Sequence, residues 1–115
     1  MRLEKRSSLR KSLNSRARVA IFSQALNLLE GGHAQVRDIS LSGAWISDLD
    51  LPSQSLPTAP FEVALIIEEG PLKGLQTSGS VVRFSSNGKL SWGLRFERLP
   101  ERYQFMLQGF INKIQ

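Results

Sequence analysis

Two residues near the middle of the chain, Asp38 and Ser40, have side chains suited to recognising a nucleobase. Residues two apart on a strand share a face, so both are predicted to point outward while Ile39 points into the core. An ionised carboxylate accepts two parallel hydrogen bonds from a pair of N–H groups, and the Watson–Crick edge of guanine offers such a pair. The Ser40 hydroxyl would add a further polar contact beside the carboxylate.

Gly43 completes the spacing D-x-S-x-x-G with these two residues. A glycine here is expected to turn the chain with a positive φ and to leave its backbone open for close approach by a ligand. The same sequence is also compatible with a simple turn, in which Asp38 and Ser40 bind local backbone N–H groups. The sequence alone is compatible with both a ligand site and a simple turn.

A second motif lies near the N-terminus, where Arg6 and Arg10 are four residues apart. This spacing keeps both side chains on one side of a helical or an extended segment. A guanidinium can fork onto guanine O6 and N7, stack on a purine face or bind a phosphate. Two arginines on an N-terminal arm could therefore bind a purine nucleotide from one side while Asp38 and Ser40 bind it from the other.

The net charge of +5 is concentrated at the N-terminus. Residues 1–18 hold seven basic residues and one acidic residue, whereas the other 97 hold eight basic and nine acidic residues. A basic arm indicates an anionic partner, such as nucleic acid, a membrane surface or a phosphorylated ligand, or else a solvated tail. A role in binding DNA or RNA is disfavoured, because the rest of the chain lacks a basic, aromatic-rich strand.

The composition argues against several functional classes. The chain has no cysteine and one histidine, His33, which excludes cysteine nucleophiles, disulfides and the usual Cys/His zinc sites. His33 is expected to be an exposed loop residue, and nothing in the sequence indicates an enzyme. No apolar run approaches the ~20 residues that span a bilayer, and no secretory signal is evident. The chain is predicted to be a soluble, cytoplasmic protein.

Short alternating segments separated by turn residues predict an antiparallel all-β domain. The predicted strands span residues 15–22, 34–40, 43–47, 61–69, 75–85 and 90–99. Turns are expected at Glu30–His33 and at Asn87-Gly88, and residues 48–60, with three of the five prolines, should form a loop. Either Trp45 or Trp92 could border a ligand, but both are interpreted as core residues and not assigned to the site, because tryptophans on barrel strands more often pack inside.

The C-terminal segment has the periodicity of an amphipathic helix. Its apolar residues recur at steps of three and four: Leu99, Tyr103, Met106, Leu107, Phe110, Ile111 and Ile114. Pro100 suits a first helical position, and Glu101 suits the positive end of the helix dipole. We therefore predict a flexible basic arm at residues 1–14, a six-stranded barrel at residues 15–99 and a helix at residues 100–115 that closes one end of the barrel.

The two motifs, their order and this architecture resemble the PilZ domain, a bacterial receptor module for cyclic di-GMP. That family joins an N-terminal R-x-x-x-R to a D/N-x-S-x-x-G on a six-stranded barrel that carries a C-terminal helix. The resemblance extends from Lys5 to the final helix and includes the late stretch GLRF at Gly93–Phe96. It implies a single PilZ domain.

The resemblance implies a cyclic di-GMP site of seven residues: Lys5, Arg6, Arg10, Asp38, Ser40, Gly43 and Arg83. The two arginines of the N-terminal motif would bind the guanine edge and the phosphates, and Lys5 would add a phosphate contact. Asp38 and Ser40 would bind a guanine and its neighbouring backbone, with Gly43 as the required turn. Arg83 lies on the strand from which a residue can stack on guanine.

The resemblance also implies a non-enzymatic receptor that has no cofactor or metal. Its arm would fold onto the barrel when cyclic di-GMP binds, and the bound form would signal to an unknown downstream protein in motility, biofilm or virulence control. An alternative is a PilZ-fold interaction module that binds no nucleotide. Such members typically lack the arginines or the acid–serine–glycine set, whereas this sequence contains both.

Overall fold

The computed structural model describes residues 9–53, 55, 57–86 and 89–113. Its elements are β1 (Lys11–Ser23), β2 (Leu28–Ile39), β3 (Gly43–Asp50), β4 (Phe61–Ile67), β5 (Gln76–Ser85), β6 (Ser91–Arg98) and α1 (Glu101–Asn112). All strand pairs are antiparallel, and the strands close into a barrel in the order β1-β2-β3-β6-β5-β4. The predicted six-stranded barrel with a C-terminal helix is confirmed.

Alternation along the strands separates the core from the surface of the barrel. On β1, Ala17, Val19 and Ile21 are fully buried, whereas Arg16 and Arg18 between them are exposed, as their period-two pattern predicts. Both exposed arginines form ion pairs with the carboxylate of Glu68, which follows β4. Buried apolar residues from five strands and from α1 share one core, and Val81 of β5 packs against it.

The predicted turn at Glu30–His33 is wrong, because β2 continues through these residues. The chain instead reverses between β1 and β2, where Leu26 has a φ of 66°. Gly32 allows close packing of strands: a Cβ at this position would lie 2.0 Å from the carbonyl oxygen of Asp50 on β3. His33 is exposed as expected, but it lies on a strand and not in a loop.

Strand β1 begins at Lys11, four residues before the expected start of the barrel at residue 15. This first part of β1 pairs with the end of β2, where Lys11 lies opposite Ile39 and Ser12 opposite Asp38. The extension carries the preceding residue, Arg10, to the same end of the barrel as the carboxylate of Asp38. The early start of β1 therefore brings the two sequence motifs together.

Helix α1 packs one face on the barrel. Leu107 and Ile111 are buried in the core, and Tyr103, Met106 and Phe110 pack against it, as the helical periodicity predicts. Pro100 was expected at the first helical position but is the residue before the helix. The acidic side chain of Glu101, in the first turn, suits the helix dipole. Within the described part of the chain, no helix has the length and apolarity needed to cross a membrane.

A lysine from the start of β1 binds the C-terminal end of α1. The Lys11 ammonium donates hydrogen bonds to the carbonyl oxygens of Phe110, at 2.9 Å, and Lys113, at 2.5 Å. It also lies 4.6 Å from the centroid of the Phe110 ring. The last turn of the helix has no basic residue, so Lys11 supplies the cation that favours a helix C-terminus.

Candidate functional site

Four neighbouring strands place one residue each in a row across the outside of the barrel. Asp38 on β2 lies opposite Trp45 on β3, and Trp45 lies opposite Gly93 on β6. Gly93 in turn lies opposite Arg83 on β5. The barrel order β2-β3-β6-β5 thus joins residues that are far apart in the sequence. The three side chains of this row are all at least partly exposed.

Three members of this row and Arg10 line a cleft of about 340 Å³ on the outer wall of the barrel. The lining combines two guanidinium groups, one carboxylate and one indole. Charged and aromatic groups at close quarters can bind a planar, polar and anionic ligand, because the indole offers a stacking surface while the guanidinium groups attract phosphate. We refer to the space lined by Arg10, Asp38, Trp45 and Arg83 as the Trp45 cleft.

Arg10 and Asp38 form an ion pair inside the Trp45 cleft. The Nη1 atom of Arg10 lies 2.6 Å from Oδ1 of Asp38, and the two side chains are 42% and 32% exposed. An ion pair with this much solvent contact contributes little stability, since water screens it and side-chain entropy opposes it. A ligand with stronger charge-assisted contacts can therefore replace this pairing at small cost.

Ser40 does not share the outward orientation of Asp38, contrary to the prediction. It follows the last residue of β2 and is fully buried. Its Oγ accepts hydrogen bonds from the backbone N–H groups of Ser42 and Gly43, both at 3.2 Å. The turn interpretation is therefore correct for Ser40, whose hydroxyl shapes the loop between β2 and β3, while a direct ligand contact by Ser40 stays a prediction.

Gly43 is required in the fold for a different reason from the one expected. The described glycines with positive φ are Gly70 and Gly74, and Gly43 is not among them. It begins β3, and a Cβ at this position would lie 2.1 Å from the carbonyl oxygen of Leu94 on β6. Glycine therefore permits close approach of the two strands, which sets the position of Trp45 two residues further along β3.

Arg83 reaches the Trp45 cleft from β5. Its Cζ atom lies 5.8 Å from the centroid of the Trp45 ring, within the range of a cation–π contact. Among the ion pairs of the described residues, Arg83 has no carboxylate partner, whereas Arg10 has Asp38. The guanidinium of Arg83 is thus available to a ligand.

Trp45 is the cleft residue that the sequence prediction missed. The expectation of a core residue is correct for Trp92, which is fully buried, but wrong for Trp45, which lies outward between the buried Ala44 and Ile46. Alternation along β3 places Trp45 on the opposite face of the strand from Ala44 and Ile46. The stretch is apolar at each of these positions, however, so its pattern does not reveal which face is inside.

The remaining predicted site residues, Lys5 and Arg6, lie outside the residues that the structure describes.

Arg37, next to Asp38, has a local role: it donates hydrogen bonds to Ser47 and Asn14 and forms an ion pair with Asp48 of β3. Within the described ranges, no three His, Cys, Asp or Glu side chains are grouped so that they could hold a metal ion.

A family model for the PilZ domain matches residues 4–113 of the chain. The chain belongs to the PilZ domain family. This match includes both PilZ motifs noted in the sequence, so the predicted family is confirmed. No curated protein matches this chain at a significant level.

Solved PilZ-type structures have the same fold. The inhibitor of motility MotI/DgrA of Bacillus subtilis superposes with a TM-score of 0.67 at 14% identity over 96% of this chain, which spans about half (51%) of that protein. The PilZ domain of YcgR from Escherichia coli, solved with cyclic di-GMP, gives 0.59 at 14% identity, covering 89% of this chain and 85% of that one. The PilZ domain of CeSA from a cellulose-synthesizing bacterium gives 0.59 at 14% identity, with coverages of 90% and 95%.

Proposed function

We propose that this PilZ domain is a non-enzymatic receptor for cyclic di-GMP that signals to a downstream protein. The observation that carries the proposal is the convergence of Arg10, Asp38 and Arg83 around one cleft. The solved structure of the YcgR domain, which contains cyclic di-GMP, supports the same ligand class. The output would be control of motility, biofilm formation or virulence, and MotI, named an inhibitor of motility, is one relative of that kind.

The chemistry of cyclic di-GMP matches the groups in the Trp45 cleft. The ligand carries two phosphates, which suit the guanidinium groups of Arg10 and Arg83, and two guanines, whose N–H pair suits the carboxylate of Asp38. Lys5 and Arg6 would add contacts to phosphate and to guanine. A micromolar dissociation constant needs about −8 kcal/mol, which several charge-assisted hydrogen bonds at about 1.5–3 kcal/mol each can supply after ordering costs.

Ser40 and Gly43 would act on the ligand through the loop that they shape. Hydrogen bonds from the Ser42 and Gly43 amides fix the Ser40 hydroxyl, and the bare backbone of Gly43 lets β3 lie close to β6. Both features hold the end of β2, and with it Asp38, in a defined position. Direct contacts of these residues with the ligand remain part of the proposal.

Binding would also rearrange the start of the chain. Arg10 is paired with Asp38, so a guanine that binds Asp38 would release the Arg10 guanidinium towards a phosphate. The arm before β1 would then close over the ligand and, with it, form the surface that the downstream protein recognises. We place this receptor in the cytoplasm, where a soluble nucleotide messenger would act.

A second candidate is an interaction module that keeps the PilZ fold and binds no nucleotide. The Arg10–Asp38 ion pair favours it, because these two charged groups satisfy each other. Such a protein would bind its partner equally well with or without cyclic di-GMP. The module and the receptor therefore differ in one measurable property.

Calorimetric titration of the full chain with cyclic di-GMP separates the two candidates. The receptor predicts micromolar binding that Arg10→Ala weakens by about tenfold or more, the loss of a charge-assisted contact. Arg18→Ala is a matched control, since it removes an exposed, ion-paired arginine that lies on β1, eight residues after Arg10. The absence of binding by the wild type at physiological ionic strength would contradict the receptor and support the module.

A further inference from the structure

The two tryptophans of the chain have opposite environments. Trp92 is fully buried in the core, whereas Trp45 lies on the outer wall of the barrel and lines the cleft. A large aromatic side chain that is left partly exposed has not gained its full burial energy. In a cleft that also contains charged groups, such a side chain is well placed to gain that energy from a ligand.

Gly93 gives the indole of Trp45 room to lie across the sheet. A Cβ at Gly93 would lie 3.4 Å from Cε3 and 3.5 Å from Cζ3 of the indole, and 3.5 Å from Cβ of Arg83. These contacts show that the ring lies over β6 and extends towards β5. Any side chain longer than that of alanine would push the ring outward, so Gly93 is a positioning residue for Trp45.

The guanidinium of Arg83 lies over the indole of Trp45 at the wall of the cleft. The guanidinium carbon is 5.8 Å from the centroid of the indole ring, and both groups belong to the same 340 Å³ space as Arg10 and Asp38. Guanidinium and indole are both planar and both stack on nucleobases. Asp38, directly opposite Trp45 in the ladder, is near enough to bind the edge of a base that stacks there.

We propose that Trp45 is a specificity-determining residue of the cleft, on whose indole a purine base of the ligand stacks while Asp38 binds the edge of that base. The proposal rests on the function proposed above and adds a stacking surface to the predicted polar contacts. A bicyclic purine overlaps the bicyclic indole more fully than a pyrimidine does. Trp45 therefore favours cyclic dipurine over cyclic dipyrimidine ligands, and Asp38 selects guanine among the purines.

Affinity measurements on two Trp45 variants test this role. Trp45→Leu removes the ring, and it should weaken cyclic di-GMP binding by about tenfold or more, the usual effect of losing one base–aromatic stack. Trp45→Phe keeps an aromatic face and should weaken binding by only about threefold. In competition assays, the preference for cyclic di-GMP over cyclic di-UMP should fall in Trp45→Leu by a similar factor, which a purely structural residue would not cause.

Indole fluorescence provides a second measurement that does not depend on a folded Trp45→Leu protein. In the wild type, cyclic di-GMP should quench the emission and protect the exposed indole from acrylamide. In Trp45→Phe the buried Trp92 is the remaining tryptophan, so saturating ligand should leave the emission unchanged. Circular dichroism would establish that each variant is folded.

The outcomes distinguish this inference from the function on which it rests. If the wild type binds no cyclic di-GMP, the receptor function fails and the stacking role fails with it. If the wild type binds and a folded Trp45→Leu binds equally well, only the stacking role is overturned. Ligand binding by the wild type without any change in indole emission or acrylamide access would overturn it as well.

Discussion

Arg10 and Asp38 are 28 residues apart in the sequence, and Arg10 Nη1 lies 2.6 Å from Asp38 Oδ1 in the structure. Each residue belongs to one of the two motifs, so this ion pair joins the motifs directly. The pair leaves the second carboxylate oxygen of Asp38 and the other N–H groups of Arg10 available. In the receptor function proposed here, ligand binding exchanges one charge-assisted contact for several.

Replacement of Asp38 by alanine tests the guanine contact. Asp38→Ala removes both acceptor oxygens of the side chain, so cyclic di-GMP should bind about tenfold to a hundredfold more weakly, by isothermal titration calorimetry. The melting temperature should change little, because the Arg10 ion pair is partly exposed. Asp50→Ala, at an exposed acid at the end of β3, is the matched control and should bind normally. Equal affinities for the two variants would contradict the assignment.

Gly43→Ala should destabilise the barrel. The new methyl group would lie 2.1 Å from the carbonyl oxygen of Leu94, so β3 and β6 must move apart. Overpacking of this kind costs about 1–3 kcal/mol, which urea denaturation would detect as a lower midpoint. An unchanged midpoint would show that the motif glycine is not needed for strand packing.

Gly109→Ala should have the opposite effect on stability. Gly109 is exposed within α1, and a Cβ built there meets no atom within 4 Å. Alanine is favoured over glycine in a helix by about 0.5–1 kcal/mol, so the free energy of unfolding should rise by that amount. Cyclic di-GMP affinity should stay the same. A fall in stability would contradict this prediction and indicate that Gly109 has a packing role.

Lys11→Met should loosen the C-terminal end of α1. The methionine keeps the apolar stem but loses the ammonium that binds the Phe110 and Lys113 carbonyl oxygens. We expect a loss of about 1 kcal/mol in the free energy of unfolding and faster hydrogen exchange in the last turn of the helix. Lys11→Arg, which retains a donor and the charge, should remain close to the wild type. Identical exchange in Lys11→Met and the wild type would contradict the capping role.

Local pattern was sufficient for much of the fold. The alternation of Arg16 and Arg18 with buried neighbours predicted β1, and the spacing of Leu107 and Ile111 predicted the inner face of the helix. The turn at Glu30–His33 failed because paired glycines can serve close strand packing as well as chain reversal. The sequence alone does not show that the backbone of Asp50 lies next to Gly32, where a side chain would clash with it.

The candidate site was predictable only in part, since it depends on register between strands. Asp38 was identified from residue type and spacing, and Arg83 from the family resemblance, and the structure places both at one cleft. Ser40 was predicted on the wrong side because β2 ends one residue before it. Trp45 was missed because its neighbours on β3 are also apolar, and its pairing with Gly93 follows from the strand order β2-β3-β6-β5, which no local stretch encodes.

Two-dimensional NMR spectra of the ¹⁵N-labelled chain, titrated with cyclic di-GMP, test most directly whether the Trp45 cleft is the ligand site. The receptor function predicts that the largest shifts fall on the backbone amides of Arg10, Asp38 and Arg83 and on the indole N–H of Trp45. The indole N–H of the buried Trp92 should move far less. Spectra that stay unchanged at millimolar ligand, or shifts that cluster away from the cleft, would contradict the account.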